Sequence, residues 1–259
     1  MINSNNPMYR RSNIIKLNRL SNNVNQKTPL NKKLTNTNCI IYSSNYGHYD
    51  AVNPALNCGP NIRYIMFCDF IPQKNYNGWE IRDFNNFPEC VNTPILKSKY
   101  IKMFPYIVMP DITWPTIWVD SSYQIISKKF VSTILPYLTN NGIAIYKHQK
   151  RNNILDELDR LLTYSKYNNL NIKEQVYSYI DDGFPSNYGL WAGGLISRLK
   201  CDNSEKICQL WWDEIIKWTY RDQLSLPYIL WKNNLKIDTI FLRQYTGDLF
   251  RIKEHISKK

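Results

Sequence analysis

The segment Thr116-Ile117-Trp118-Val119-Asp120-Ser121-Ser122 carries the chain's clearest chemical signal. An acidic residue directly after a buried strand has its carboxylate fixed by the strand, and the loop beyond it leaves room for a ligand. Hard oxygen donors of this kind suit Mg²⁺ or Mn²⁺, with phosphate oxygens and water completing the shell. Such a cation would neutralise charge growing on a departing diphosphate. Asp120 as a cap on a following helix, with Ser121 and Ser122 as turn residues, is the other reading. A second segment runs Trp211-Trp212-Asp213-Glu214 and then Tyr220-Arg221-Asp222-Gln223-Leu224-Ser225. A carboxylate here could deprotonate an acceptor hydroxyl or stabilise a cationic sugar centre. Arg221 could pair with phosphate or with the carboxylate itself. A surface ion pair and a solvated helix charge are the plainer readings. His148, with Lys147, Lys150 and Arg151, forms a basic cluster just past a strand and could meet phosphate.

Other motifs are missing. Gly189, Gly193 and Gly194 permit close backbone approach but match neither the dinucleotide fingerprint nor the P-loop. There is no G-x-S-x-G and no H-E-x-x-H. Six cysteines (39, 58, 68, 90, 201, 208) form no C-x-x-C pair, and three histidines do not complete a zinc signature. Net charge is +12. A field of that sign draws anions, yet it is spread from Arg10 and Arg11 to Lys258 and Lys259 without an RNA- or DNA-binding motif. A nucleic-acid-binding module is thus a weaker alternative. Aromatics reach 14%, with 19 Tyr and 8 Trp, a composition suited to ring-shaped ligands as well as to core packing. Despite abundant Asn, no N-x-S/T acceptor occurs, where chance predicts about three. With no apolar leader and no 18-residue apolar stretch, these features predict a soluble, cytoplasmic protein with reduced thiols. The Asn, Lys, Ile and Tyr bias fits a viral or bacterial source, which for a virus places it in host cytoplasm or virion.

The elements that must position these groups alternate. Residues 1–36 are polar and nearly free of aromatics, so a disordered or loosely attached arm is expected, followed by a single domain over 37–259. Short apolar runs predict strands at Cys39–Tyr42 (ended by Ser43), Arg63–Cys68, Thr116–Val119, Ile143–Tyr146 and Gly194–Ile196. Helical spacing links Ile125, Phe130, Ile134 and Leu138 loosely, and Ile154, Leu155, Leu158, Leu161 and Leu162 well. Ile172, Val176 and Ile180 give a third helix, stopped by Gly183. Asp202 with Glu205 resembles a capping box opening a fourth, whose buried stripe would leave Trp212 and Glu214 on the surface. The fold class is α/β, a mostly parallel sheet with helices on both faces. Ser43, Asp69, Asp120 and His148 end successive runs, at the sheet edge where α/β ligands bind.

In order along the chain stand Tyr49-Asp50, Phe67-Cys68-Asp69, Lys102-Met103-Phe104-Pro105-Tyr106, Ile117-Trp118-Val119-Asp120, and Lys147-His148-Gln149-Lys150-Arg151. Then follow Gly183-Phe184-Pro185, Gly189-Leu190, Arg198, Trp211-Trp212-Asp213-Glu214 and Arg221-Asp222-Gln223-Leu224-Ser225-Leu226. Together these segments, over roughly 39–232, resemble a glycosyltransferase-like domain family of plant mucilage and cell-wall proteins with bacterial and viral members. The chain departs from that pattern at Tyr106, at Gln149 and after Asp120, where Ser121-Ser122 stands in place of a second carboxylate.

The resemblance implies a GT-A-like nucleotide-sugar-binding fold and transfer of a hexosyl or pentosyl group from a nucleotide-sugar donor to a glycan, lipid or protein acceptor. It implies Asp222 and Glu214 as catalytic groups, and Asp120 as the ligand of Mn²⁺ or Mg²⁺. Tyr42, Ser43, Asp50, Asp69, Lys102, His148 and Arg151 fall to the donor, and Gly189, Leu190, Trp212, Arg221 and Gln223 to the sugar and acceptor. A transferase fold that only binds sugar or nucleotide is the alternative.

Overall fold

The computed structural model describes residues 38–255 apart from 72, 186 and 243–246, all within one compact unit; the expected arm over 1–36 lies outside the described residues. Ten strands form: β1 Cys39–Asn45, β2 Ile62–Cys68, β3 Asn75–Tyr76, β4 Trp79–Arg82, β5 Thr116–Val119, β6 Tyr123–Ile125, β7 Ile143–Lys147, β8 Trp191–Arg198, β9 Asp238–Ile240 and β10 Phe250–Ile252. The helices are α1 Pro94–Met103, α2 Pro105–Val108, α3 Phe130–Ile134, α4 Ile154–Leu162, α5 Ile172–Asp181, α6 Asp202–Lys217 and α7 Asp222–Lys232.

Eight strands make one sheet in the order β3-β4-β2-β1-β5-β8-β7-β9. Strands β1, β2, β4, β5, β7 and β9 run the same way, while β3 and β8 oppose them. Every residue of β1 is buried, as expected of an interior strand covered on both faces. Successive side chains alternate between two cores. Ile40, Tyr42, Trp118, Ile145 and Ile196 pack on one face with α1, α6 and α7. Ile41, Ile117, Val119, Ala144 and Leu195 pack on the other with α3, β6 and β10. A third cluster joins α4 and α5 to Leu190 and Leu224.

Three expectations are corrected. β1 does not end at Ser43 but continues through the small, buried Ser43 and Ser44 to Asn45. Ile125 lies in β6, paired antiparallel with β10, so the loose helical series begins only at Phe130. The box that opens α6 is Cys201 with Ser204; Asp202 and Glu205 occupy the first turn, where carboxylates complement the helix dipole. All six cysteines are free. Among the described residues, no helix is long and apolar enough to cross a membrane.

Because β8 is antiparallel, its first half returns to the edge where β5 ends. Val119 pairs with Leu195, and the Asp120 N–H donates to the Gly194 carbonyl at 2.9 Å. A Cβ built on Gly194 would lie 2.2 Å from the Tyr123 hydroxyl oxygen. The Tyr123 ring is itself stacked on Phe250 across β6 and β10, so it has nowhere to yield cheaply. Gly194→Ala is expected to cost about 1–3 kcal/mol by overpacking and to lower Tm by several degrees in a thermal melt. An unchanged Tm would show that Tyr123 is freer than its packing implies.

Candidate active site

The carboxyl edge of β1 and β5, the loop after β1, and α1 enclose a cleft of about 220 Å³. Its wall includes Asn45, Asp50, Lys99, Lys102, Asp120 and Arg221. Helix α1 is set by Thr93, whose side chain accepts from the Leu96 N–H at 3.2 Å, with Pro94 at the first helical position. Lys99 and Lys102 are three residues apart and share a face.

That face meets the first residue of α7. Asp222 Oδ2 accepts from Lys102 Nζ at 2.5 Å and from Lys99 Nζ at 2.8 Å. Lys102 Nζ also lies 3.8 Å from Asp120 Oδ1. Two acids far apart in sequence therefore converge on one ammonium. The Lys102 side chain is 2% exposed and that of Asp120 41%, so Lys102 is fixed beneath the cleft and Asp120 opens into it. Burial alone would raise the Asp222 carboxyl, but Lys102 and Lys99 outweigh it and hold Asp222 well below the usual carboxylate range. Burial also pulls the Lys99 ammonium down, against the opposing pull of Asp222.

Beneath this triad, Tyr42 donates to the Lys102 carbonyl at 3.1 Å, accepts from Arg198 at 2.8 Å, and meets Trp118 edge-on. Trp118 Nε1 in turn donates to Asp120 Oδ1 at 2.8 Å. Gly193 completes the fit: a Cβ there would lie 3.0 Å from Lys102 Nζ and 3.3 Å from Asp222 Oδ2. On another wall, Asn45 accepts from the Tyr49 and Asp50 N–H groups and fixes that loop. Asp50 bonds His255 Nδ1 at 2.8 Å and accepts from the Ser121 hydroxyl.

Arg221 reaches the cleft from a buried network that the sequence reading did not find. Glu157, 1% exposed, holds Arg221 at 3.3 Å and Arg151 at 2.6 Å. Arg221 also donates to the Tyr167 hydroxyl and to Gln223. His148 accepts through Nδ1 from the N–H groups of Lys150 and Arg151, and burial followed by Arg151 lowers its pKa. Arg151, His148 and Gln223 therefore connect to the cleft through Arg221 and Glu157 without lining it.

Other predicted site residues are placed elsewhere. Tyr42 and Ser43 are fully buried under the cleft. Asp69 caps the loop after β1 by accepting from the Gly47 N–H at 3.0 Å. Leu190 is core, and its carbonyl accepts from the His148 N–H. Gly189 packs on Trp191 and Lys147. The surface placement of Trp212 and Glu214 is corrected: α6 is covered on more than one side. Trp212 is packed edge-on against Tyr100 and Phe104, and Glu214 accepts from the Tyr179 hydroxyl of α5 at 2.6 Å. Neither lines the cleft. Lys99, Tyr167, Tyr220 and His255 line it without having been singled out.

A divalent cation needs several oxygen donors turned toward one point. Among the described residues, no group of three or more His, Cys, Asp or Glu is arranged to hold a metal ion. Asp120 Oδ1 is already engaged by Trp118 and approached by Lys102. With Lys102 Nζ between them, Asp120 and Asp222 together do not fit a bound Mn²⁺ or Mg²⁺.

Its hydrogen bond to Asp50 raises the His255 pKa against partial burial. A raised folded-state value stabilises the fold fully below the unfolded value, and that contribution fades as pH climbs through the folded one. The Tm advantage of the wild type over His255→Gln should thus shrink from mildly acidic to mildly alkaline pH. Parallel Tm profiles would contradict the pairing.

Comparison with known proteins agrees with the reading of the motifs. Over 141 residues the chain is 25% identical to the "Probable hexosyltransferase MUCI70" of Arabidopsis thaliana, a match that covers 51% of this chain and 24% of that protein. The chain thus spans about a quarter of that relative's length. Among solved structures, similarity extends to the WbbM bifunctional glycosyltransferase, with TM-score 0.45, 13% identity, 82% of this chain and 40% of that one. Mouse xyloside xylosyltransferase 1 matches with TM-score 0.44, 9% identity, and 80% and 84% of the two chains. The galactosyltransferase LgtC matches with TM-score 0.42, 12% identity, and 79% and 73%. Residues 25–255 match the TOD1/MUCI70, glycosyltransferase-like domain, and the chain belongs to that family.

Proposed function

We propose that the chain is a GT-A-like glycosyltransferase that moves a sugar from a nucleotide-sugar donor to an acceptor hydroxyl. The observation that carries this reading is the convergence of Asp120 and Asp222 on Lys102 at the carboxyl edge of the sheet. This is the edge where open α/β sheets take their ligands. A buried carboxylate held deprotonated by two lysines is a poor proton acceptor. Asp222 is spent on the two lysines and does not line the cleft, so positive charge at the anomeric carbon, as its bond to the diphosphate oxygen breaks and the electron pair leaves with the diphosphate, falls to Asp120. The acceptor oxygen forms the new bond to that carbon and passes its proton to the departing diphosphate. Asp222 holds Lys99 and Lys102 in place, and Asp120, open to the cleft, faces the sugar. Tyr49, Tyr167 and Tyr220 offer ring faces to the apolar side of a sugar. A hexosyl donor is the form of this reading nearest to the similarity with the Arabidopsis protein.

The test is a screen of UDP-, GDP- and CMP-sugars for sugar release and transfer. One donor should turn over, and Asp120→Asn should slow it by about 10²-fold or more while Tm stays close to wild type. Donor binding without release or transfer would instead assign the chain as a sugar- or nucleotide-binding protein on this fold. No binding to any donor would end the reading.

A further inference from the structure

We propose that fixed ammonium and guanidinium groups, not a divalent cation, neutralise the diphosphate in this cleft. This inference rests on the transferase reading and deepens it.

The position a bridging cation would take between Asp120 and Asp222 is held by Lys102 Nζ, 2.5 Å from one carboxylate and 3.8 Å from the other. A metal bound to both acids needs oxygen donors at roughly 2.0–2.6 Å, and an ammonium in that place excludes it by volume and by charge. Lys102 cannot swing clear. Its side chain is 2% exposed and Gly193 closes over its tip, so withdrawal would leave buried Asp222 with one partner fewer. Among the described residues, no neighbouring group restores a ligand set. Ser121 is committed to Asp50, Asp50 also to His255, and Ser122 is buried.

The charges count in the same direction. Two lysines share the single carboxylate of Asp222, leaving one positive charge in surplus. Two arginines share Glu157, leaving another. Lys166, on the cleft wall against the Tyr167 ring, makes no ion pair among the described residues and adds a third. Asp120 offsets one of the three, and Asp50 is matched by His255 when that ring is protonated. The residual charge is about that needed for the two negative charges of a nucleotide-sugar diphosphate. Lys166 is exposed on the wall and Lys99 and Arg221 are each 20% exposed, while Lys102 sets the two acids from below.

The test is calorimetric titration of UDP, GDP and CDP into the full chain, once with EDTA and once with Mn²⁺. The diphosphate that binds is expected to do so with a Kd within about threefold in the two conditions. Lys99→Met and Lys166→Met should each weaken it by roughly tenfold, and Lys99→Arg should retain most of the affinity. Melting curves of the three variants check that each is folded. Binding that appears only with Mn²⁺, or that ignores both lysines, would overturn the inference and leave the transferase reading standing. Failure of all three diphosphates to bind in either condition would overturn both.

Discussion

The site is organised around a lysine ammonium locked between two carboxylates. Burying one charge costs several kcal/mol unless partners and hydrogen bonds compensate it. Lys102 meets that cost through Asp222, Asp120 and the neighbouring Lys99–Asp222 bond. The constraint reaches far. It sets where α1 lies against the start of α7, and it requires glycine at position 193. It also requires β8 to run antiparallel, so that its glycine pair passes beside Asp120. Tyr42, Arg198 and Trp118 form a layer that supports the Lys102 backbone and holds Asp120 in place.

A second network mirrors the first. Glu157 divides its carboxylate between Arg151 and Arg221, as Asp222 does between two lysines. In each case one buried acid holds two cations, so the cleft has positive potential although its individual charges are paired. A large preorganised field of this kind needs little reorganisation when charge moves during reaction. Tyrosines from the loop after β1, from the turn after α4 and from the segment before α7 line the same cleft, with Lys166 and Arg221 over the Tyr167 ring. Cation and ring surfaces in one cleft suit a ligand that carries both phosphate and sugar.

Much of this was legible in the amino-acid sequence, and the exceptions share a cause. Strands β1, β2, β5 and β7 are continuous apolar runs because both faces of the sheet are covered. The short strands β3, β4, β6, β9 and β10 carry too few residues for a periodic signal. Helix α1 was not legible because its buried stripe contains Lys102, a charge that reads as surface until Asp222, in a distant segment, is known to face it. Glu157 escaped notice for the same reason: it sits on the apolar side of α4 beside Leu158 and Leu161. Trp212 and Glu214 were assigned to the surface on the premise that α6 has one buried stripe, whereas α1 and α5 cover further parts of it. Asp120 and Asp222 were recognisable from a strand end and from the ordered motifs. Their convergence is a property of topology that no local window contains.

The account is tested most directly by a crystal structure of the chain with a non-hydrolysable nucleotide sugar. The sugar is predicted to lie over Lys102 beside Asp120, with the diphosphate against Lys99 and Lys166. A ligand bound at another face of the molecule, or a diphosphate held away from both lysines, would contradict it.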